Sequence, residues 1–143
     1  MSQIYKLNHI QGDEIKHIYI FTINSSSSIS DNYQDDNGNS INFERLEFLG
    51  DSMLSVVISA LLFQSFPEAK EGTLTKYRAK IVSRENLNNI GEKLGLIEFI
   101  DGDIKANLGN NIHGNLLEAL IGAIFIDRGY VKCKEFICFW GHE

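Results

Sequence analysis

The stretch from Glu44 to Phe66, ERLEFLGDSMLSVVISALLFQSF, constrains the fold more than any other part of the chain. Its first third carries Glu44, Arg45, Glu47 and Asp51, and from Ser52 to Pro67 there is no charged side chain. Apolar residues there fall on nearly every face of a helical wheel, which predicts a helix buried in the core. The uncharged run contains several Ser and a Gln and is shorter than the ~20 residues a membrane span needs, so a core helix is expected and no membrane partner. Glu47 and Asp51 are four residues apart, hence on one face and about 6 Å apart at Cβ. Two acids stacked at the mouth of a buried helix repel each other, and desolvation adds to the cost. A nearby cation relieves both. Arg45 projects elsewhere, so the cation must come from another segment or be a metal ion. Gly50 lies inside the same helix, where Gly is about 1 kcal/mol worse than Ala. Either it is simply tolerated, or a helix, a subunit or a ligand approaches closely there.

A second stretch complements the first. Asn115 to Asp127 reads NLLEALIGAIFID, and Glu118 is its only charge before Asp127. A carboxylate embedded in an apolar helix is rarely left unpaired. Asn115, three residues earlier, shares its face. If the two helices pack together, with Gly122 allowing close contact, Glu47, Asp51, Asn115 and Glu118 can converge. Four oxygen-bearing side chains on facing helices suit a hard cation, Mg²⁺ or Mn²⁺.

These residues carry a resemblance. ERLEFLGDSML, then EGTLTKYRAKIVSRENL (Glu71 to Leu87), then LLEALIGAIFIDRGY (Leu116 to Tyr130) resemble the ribonuclease III family in order and approximate spacing. Members of that family cut double-stranded RNA. The resemblance implies an all-α, ribonuclease III-type helical endonuclease domain that works as a cytoplasmic homodimer. It implies a carboxylate site in each subunit that binds Mg²⁺, with Mn²⁺ as a substitute. Glu47, Asp51 and Glu118 match catalytic, metal-binding positions. Asn115 falls where most members have aspartate; its amide oxygen can still ligate a cation but lacks the charge, so an active, metal-hungry enzyme is expected. The resemblance places Phe48 in the partner subunit, the alternative being a core Phe of its own subunit. Phe43 replaces an Asn common before the signature, and Thr22-Ile23-Asn24-Ser25 matches poorly the Thr-His-Ser stretch of the family.

The length of 143 residues suits one domain, and a single nuclease domain over residues 1–143, without a double-stranded-RNA-binding domain, is expected. A single Pro and few strand-like alternations favour helices. The net charge of −6 is awkward for an RNA binder, since phosphate contacts need Lys and Arg. The basic run Lys76, Arg78, Lys80 and Arg84 is the exception. Lys76 and Lys80 are four apart and share a face, either as phosphate contacts on RNA or as a solvated surface; Arg78 points differently. Cys133 and Cys138 do not form a CxxC motif and are expected as buried or partly buried free thiols of a reduced compartment. The N-terminus lacks the pattern of a signal peptide.

Asp13 caps a possible helix through Thr22, although IYIFTI also suits a strand. Residues 24–42, rich in Ser, Asn and Asp, are expected as a mobile polar loop. Phe66-Pro67 ends the central helix. Thr73 is expected to cap the next helix, through about Val82, and Ser83 the one after it, through Leu94 with Gly95 as its stop. Leu87, Ile90 and Leu94 form an apolar stripe. Residues 98–111 read as a loop. His113 is either a general base or, more simply, a solvated loop residue. A helix from Gly114 to Arg128 ends at Gly129, and a last helix from Val131 to Trp140 buries Val131, Phe136, Ile137 and Trp140.

Three functions fit. The first is metal-dependent hydrolysis of double-stranded RNA, with substrate chosen by A-form shape. The second is a module that binds duplex RNA and cuts it poorly or not at all; Asn115 and the net acidity favour it, and the three intact acids oppose it. The third is a carboxylate bundle for redox metals, which usually carries Glu-x-x-His pairs on its helices; none occurs here.

Overall fold

The computed structural model describes residues 43–99 and 109–140, and the expected helix at 14–22 and loop at 24–42 lie outside them. The described residues form four α-helices and one 3-10 turn: α1 (Phe43–Ser65), α2 (Glu71–Ile81), α3 (Arg84–Lys93), the turn Leu96–Phe99, and α4 (Ile112–Trp140). Within this set no strand is present.

α1 and α4 form the centre of the core. α1 turns Leu46, Met53, Leu54, Val57, Ile58 and Leu62 inward, at the three- and four-residue spacing of one helical face. They meet Leu116, Leu117, Leu120, Ile121 and Ile124 of α4. The expectation of burial on every side is corrected by this packing. Only one face of α1 is covered, and Phe48, Val56 and Phe63 on the other remain 78, 52 and 73% exposed.

The two helices touch backbone to backbone. A Cβ added to Gly50 would land on the carbonyl of Glu118, and one added to Gly122 on the carbonyl of Leu46. The close approach expected at Gly50 is therefore made by a helix of the same chain. It fixes the register of Glu47 and Asp51 against Glu118.

α3 packs on the first half of α4 and buries Leu87 and Gly91, with Ile90 and Leu94 packed against the core. Ser83 caps it as expected, its hydroxyl accepting from the Asn86 N–H at 3.2 Å. Gly95, at φ 67°, ends it in the left-handed region that glycine enters without a Cβ clash. The expected cap at Thr73 is corrected: α2 begins at Glu71, Lys70 holds the cap position without a side-chain bond, and Thr73 lies inside the helix. A hydrogen bond from Arg78 Nη1 to Ser59 Oγ at 2.9 Å pins α2 to α1.

Gly129 interrupts α4 at φ 78° and ψ −171°, where the sequence places the end of one helix and the start of another. Beyond it Cys133 and Ile137 face the core, four residues apart. Val131 falls on the opposite side and is exposed, which corrects its expected burial. The side chain of Trp140 lies outside the described ones. Both cysteines are free, Cys133 buried and Cys138 half-buried.

A candidate carboxylate metal centre between two helices

Glu47 and Asp51 lie one turn apart on α1, just before and after the Gly50 contact. Glu118 lies on α4 at that contact, its own carbonyl being the atom Gly50 faces. The tight crossing gives the three acids little freedom to move apart. Asp51 on α1 is the acid that acts most strongly on Glu118 across the two helices.

The electrostatics agree with that arrangement. Burial raises the Glu118 carboxyl, the charge of Asp51 and its hydrogen bond raise it further, and Glu47 adds to them, so that it titrates at about 7. Burial raises Glu47 too, followed by repulsion from Glu44 and Asp51. One cation opposes both shifts, Arg84. It is the first residue of α3. A cation from another segment thus partly offsets the charge of the stacked acids. In the sequence Arg84 stands in a basic run with nothing to link it to the site; the signal that α3 brings it there is tertiary.

The donor set suits a hard cation: three carboxyl groups, with the amide oxygen of Asn115 one turn before Glu118. The raised Glu118 and Glu47 mark a place short of positive charge. The carboxyl groups stand apart from full convergence, since among the described residues no three His, Cys, Asp or Glu are close enough to share one ion. Asn115 is half-buried.

The remaining candidates lie outside this cluster. Phe48 points away from its own core. Lys76 and Lys80 are exposed on α2, while Arg78 is partly buried by its bond to Ser59. His113 is half-buried against Gly91 of α3, which corrects the expectation of a solvated loop residue.

Residues 30–140 match the family model described as Ribonuclease-III-like. The chain is a member of the ribonuclease III family. It is 55% identical over 107 residues to Ribonuclease 3 of Flavobacterium psychrophilum and 56% identical over 107 residues to that of Zunongwangia profunda. Each match covers 74% of this chain and 44% of the relative, so the chain spans less than half the length of these curated relatives. Among solved structures it is similar to the nuclease domain of ribonuclease III from Campylobacter jejuni, with TM-score 0.64 and 27% identity over 92% of this chain and 94% of that one. It is also similar to Dicer from Giardia intestinalis, with TM-score 0.65 and 25% identity over 92% of this chain and 19% of that one. The ribonuclease III fold agrees with the helical architecture of the described residues.

Proposed function

We propose that this ribonuclease III family domain hydrolyses phosphodiester bonds in double-stranded RNA, with one carboxylate site per subunit of a homodimer. The observation that carries the reading is the glycine-tight helix crossing at Glu118, which sets it near Glu47 and Asp51, with burial and those acids raising it to about 7. Such acids are held close enough to need a cation and aligned by backbone that cannot shift. The similar Campylobacter jejuni protein is a nuclease domain with structural flexibility in a region involved in dimer formation, which supports the homodimer.

Glu47, Asp51 and Glu118 would hold Mg²⁺, with the Asn115 amide oxygen in reach of the same ion or of its water. Bound there, the ion supplies charge stabilisation at the phosphate and a water of lowered pKa. The protein's own part is positional. Asp51 and Glu118 would hold the ion from facing helices, where its charge would offset the repulsion and burial that raise Glu118. Glu47 adds charge from the preceding turn. Arg84 keeps the acids from accumulating more negative charge than the fold tolerates. Lys76 and Lys80 on α2 contact phosphates of the duplex, and Phe48 packs into the partner subunit with the exposed face of α1. Within that reading the enzyme works in the cytoplasm, where its RNA would be found.

The non-cleaving alternative keeps one specific support: no three acids share one point among the described residues, and Asn115 brings no charge to gather them. Cleavage of a long labelled RNA duplex, with Mg²⁺ titrated and then replaced by Mn²⁺, decides between them. Metal-dependent cutting to short duplexes that spares single-stranded RNA supports the nuclease. A duplex that is shifted in a gel but stays intact at every metal concentration assigns the binding module.

A further inference from the structure

The first turn of α4 is held by a side chain from a different helix. A helix start leaves backbone N–H groups without partners, and a residue just before the helix normally satisfies one of them. Asn111 occupies that position here, yet the N–H of Gly114 donates to Asn88 Oδ1 of α3 at 2.8 Å. Asn88 Nδ2 in turn donates to Asn111 Oδ1 at 3.1 Å. One amide therefore ties both sides of the α4 start to α3. The fit is close, because a Cβ on Gly114 would sit 2.9 Å from Asn88 Oδ1 and 3.2 Å from Leu87 Cβ. Along α3, Arg84, Asn88 and Gly91 succeed one another at helical spacing. Arg84 partly offsets the charge of the acids, Asn88 clamps the helix start, and Gly91 receives the His113 backbone.

We propose that Asn88 is a positioning residue for the carboxylate centre. Asn115 adjoins the clamped Gly114, and Glu118 comes one turn later on the same helix. Gly50 and Gly122 fix α4 against α1 from Glu118 onward, whereas its first turn is held by α3, through the Gly91–His113 backbone contact and the Asn88 amide. Asn88 acts from the helix that also carries Arg84, so one element sets both the position of the α4 ligands and the charge opposing them. The inference rests on the metal-centre reading above.

The test measures Mn²⁺ binding by electron paramagnetic resonance, with the kcat and KM of duplex cleavage and thermal unfolding alongside. Losing a residue that orients metal ligands typically weakens metal binding 10–100-fold. Asn88→Ala is expected to raise the Mn²⁺ concentration for half-occupancy at least about tenfold and to lower kcat. The KM for RNA should change less than about twofold, because Lys76 and Lys80 sit on α2. Asn88→Asp keeps an acceptor for the Gly114 N–H and is expected to return binding to within about threefold of wild type. A folded Asn88→Ala protein with unchanged Mn²⁺ binding overturns the proposal. If that variant unfolds, Asn111→Ala, which removes only the partner of Nδ2, carries the test: a shift in the same direction supports the proposal, and no shift overturns it. Wild-type protein without a Mn²⁺ site overturns the metal-centre reading itself, a result distinct from a site indifferent to Asn88.

Discussion

At the scale of single residues, Glu118 carries the strongest expectation. Its carboxyl ordinarily titrates near 4.5 and in the fold near 7, so the folded protein holds that proton more tightly than the unfolded chain does. Without metal, this group's contribution to stability is therefore greatest below about 4.5 and is lost as the pH rises toward about 7. Glu118→Gln removes the proton from the balance. In EDTA the variant is expected to lose less thermal stability between pH 5 and pH 8 than wild type; parallel unfolding curves would show that Glu118 is not the group that titrates. Glu118→Ala should lower cleavage by on the order of 100-fold or more while the helical circular-dichroism signal persists. Asn115→Asp restores a charge on the same face and should lower the Mg²⁺ concentration needed for cleavage by about tenfold. An unchanged requirement would remove Asn115 as its cause. The acids themselves are legible in the sequence, because a charge inside an apolar helix stands out against its neighbours. Arg84 is not, because no pattern along the chain reports which side chain a separate helix will bring near.

At the scale of elements, two glycines in helices make a matched pair. Gly50→Ala drives a methyl group into the Glu118 carbonyl, so α1 and α4 must separate. Overpacking of this kind costs about 1–3 kcal/mol, and here it also parts the acids. Gly72 lies in α2 with nothing within 4 Å of an added Cβ. Gly72→Ala should stabilise by roughly 0.5–1 kcal/mol through helix propensity alone. Opposite shifts in melting temperature are expected; equal shifts would mean that the two helices cross with room to spare. Helix boundaries set by local chemistry are readable from sequence, as at Ser83, Gly95 and Gly129. The start of α2 is not, because Lys70 opens that helix through its backbone and leaves no side-chain signal, so Thr73 looks like the cap. Nor is the exposure of Val131, because the break at Gly129 resets the rotation of the last helical segment and the buried side passes to Cys133 and Ile137.

At the scale of the whole molecule, Phe48, Val56 and Phe63 lie exposed along one side of α1, and on the proposed reading a second chain covers them. Val56→Lys should turn a dimer into a monomer in sedimentation velocity while leaving the far-UV spectrum intact; a dimer that survives would place the interface elsewhere. The uncharged run of α1 from Ser52 onward suggests burial on all sides, and part of that burial is owed to a second chain on the proposed reading. The tight crossing at Gly50 and Gly122 also bears on how the protein is made. α1 leaves the ribosome well before α4, and domains take shape in that order at about 5–20 residues per second. Until α4 emerges, Glu47 and Asp51 have no Glu118 to face and Gly50 has no backbone to receive it. On the proposed reading, a nascent chain stalled anywhere before Glu118 is chemically harmless to the messenger that encodes it.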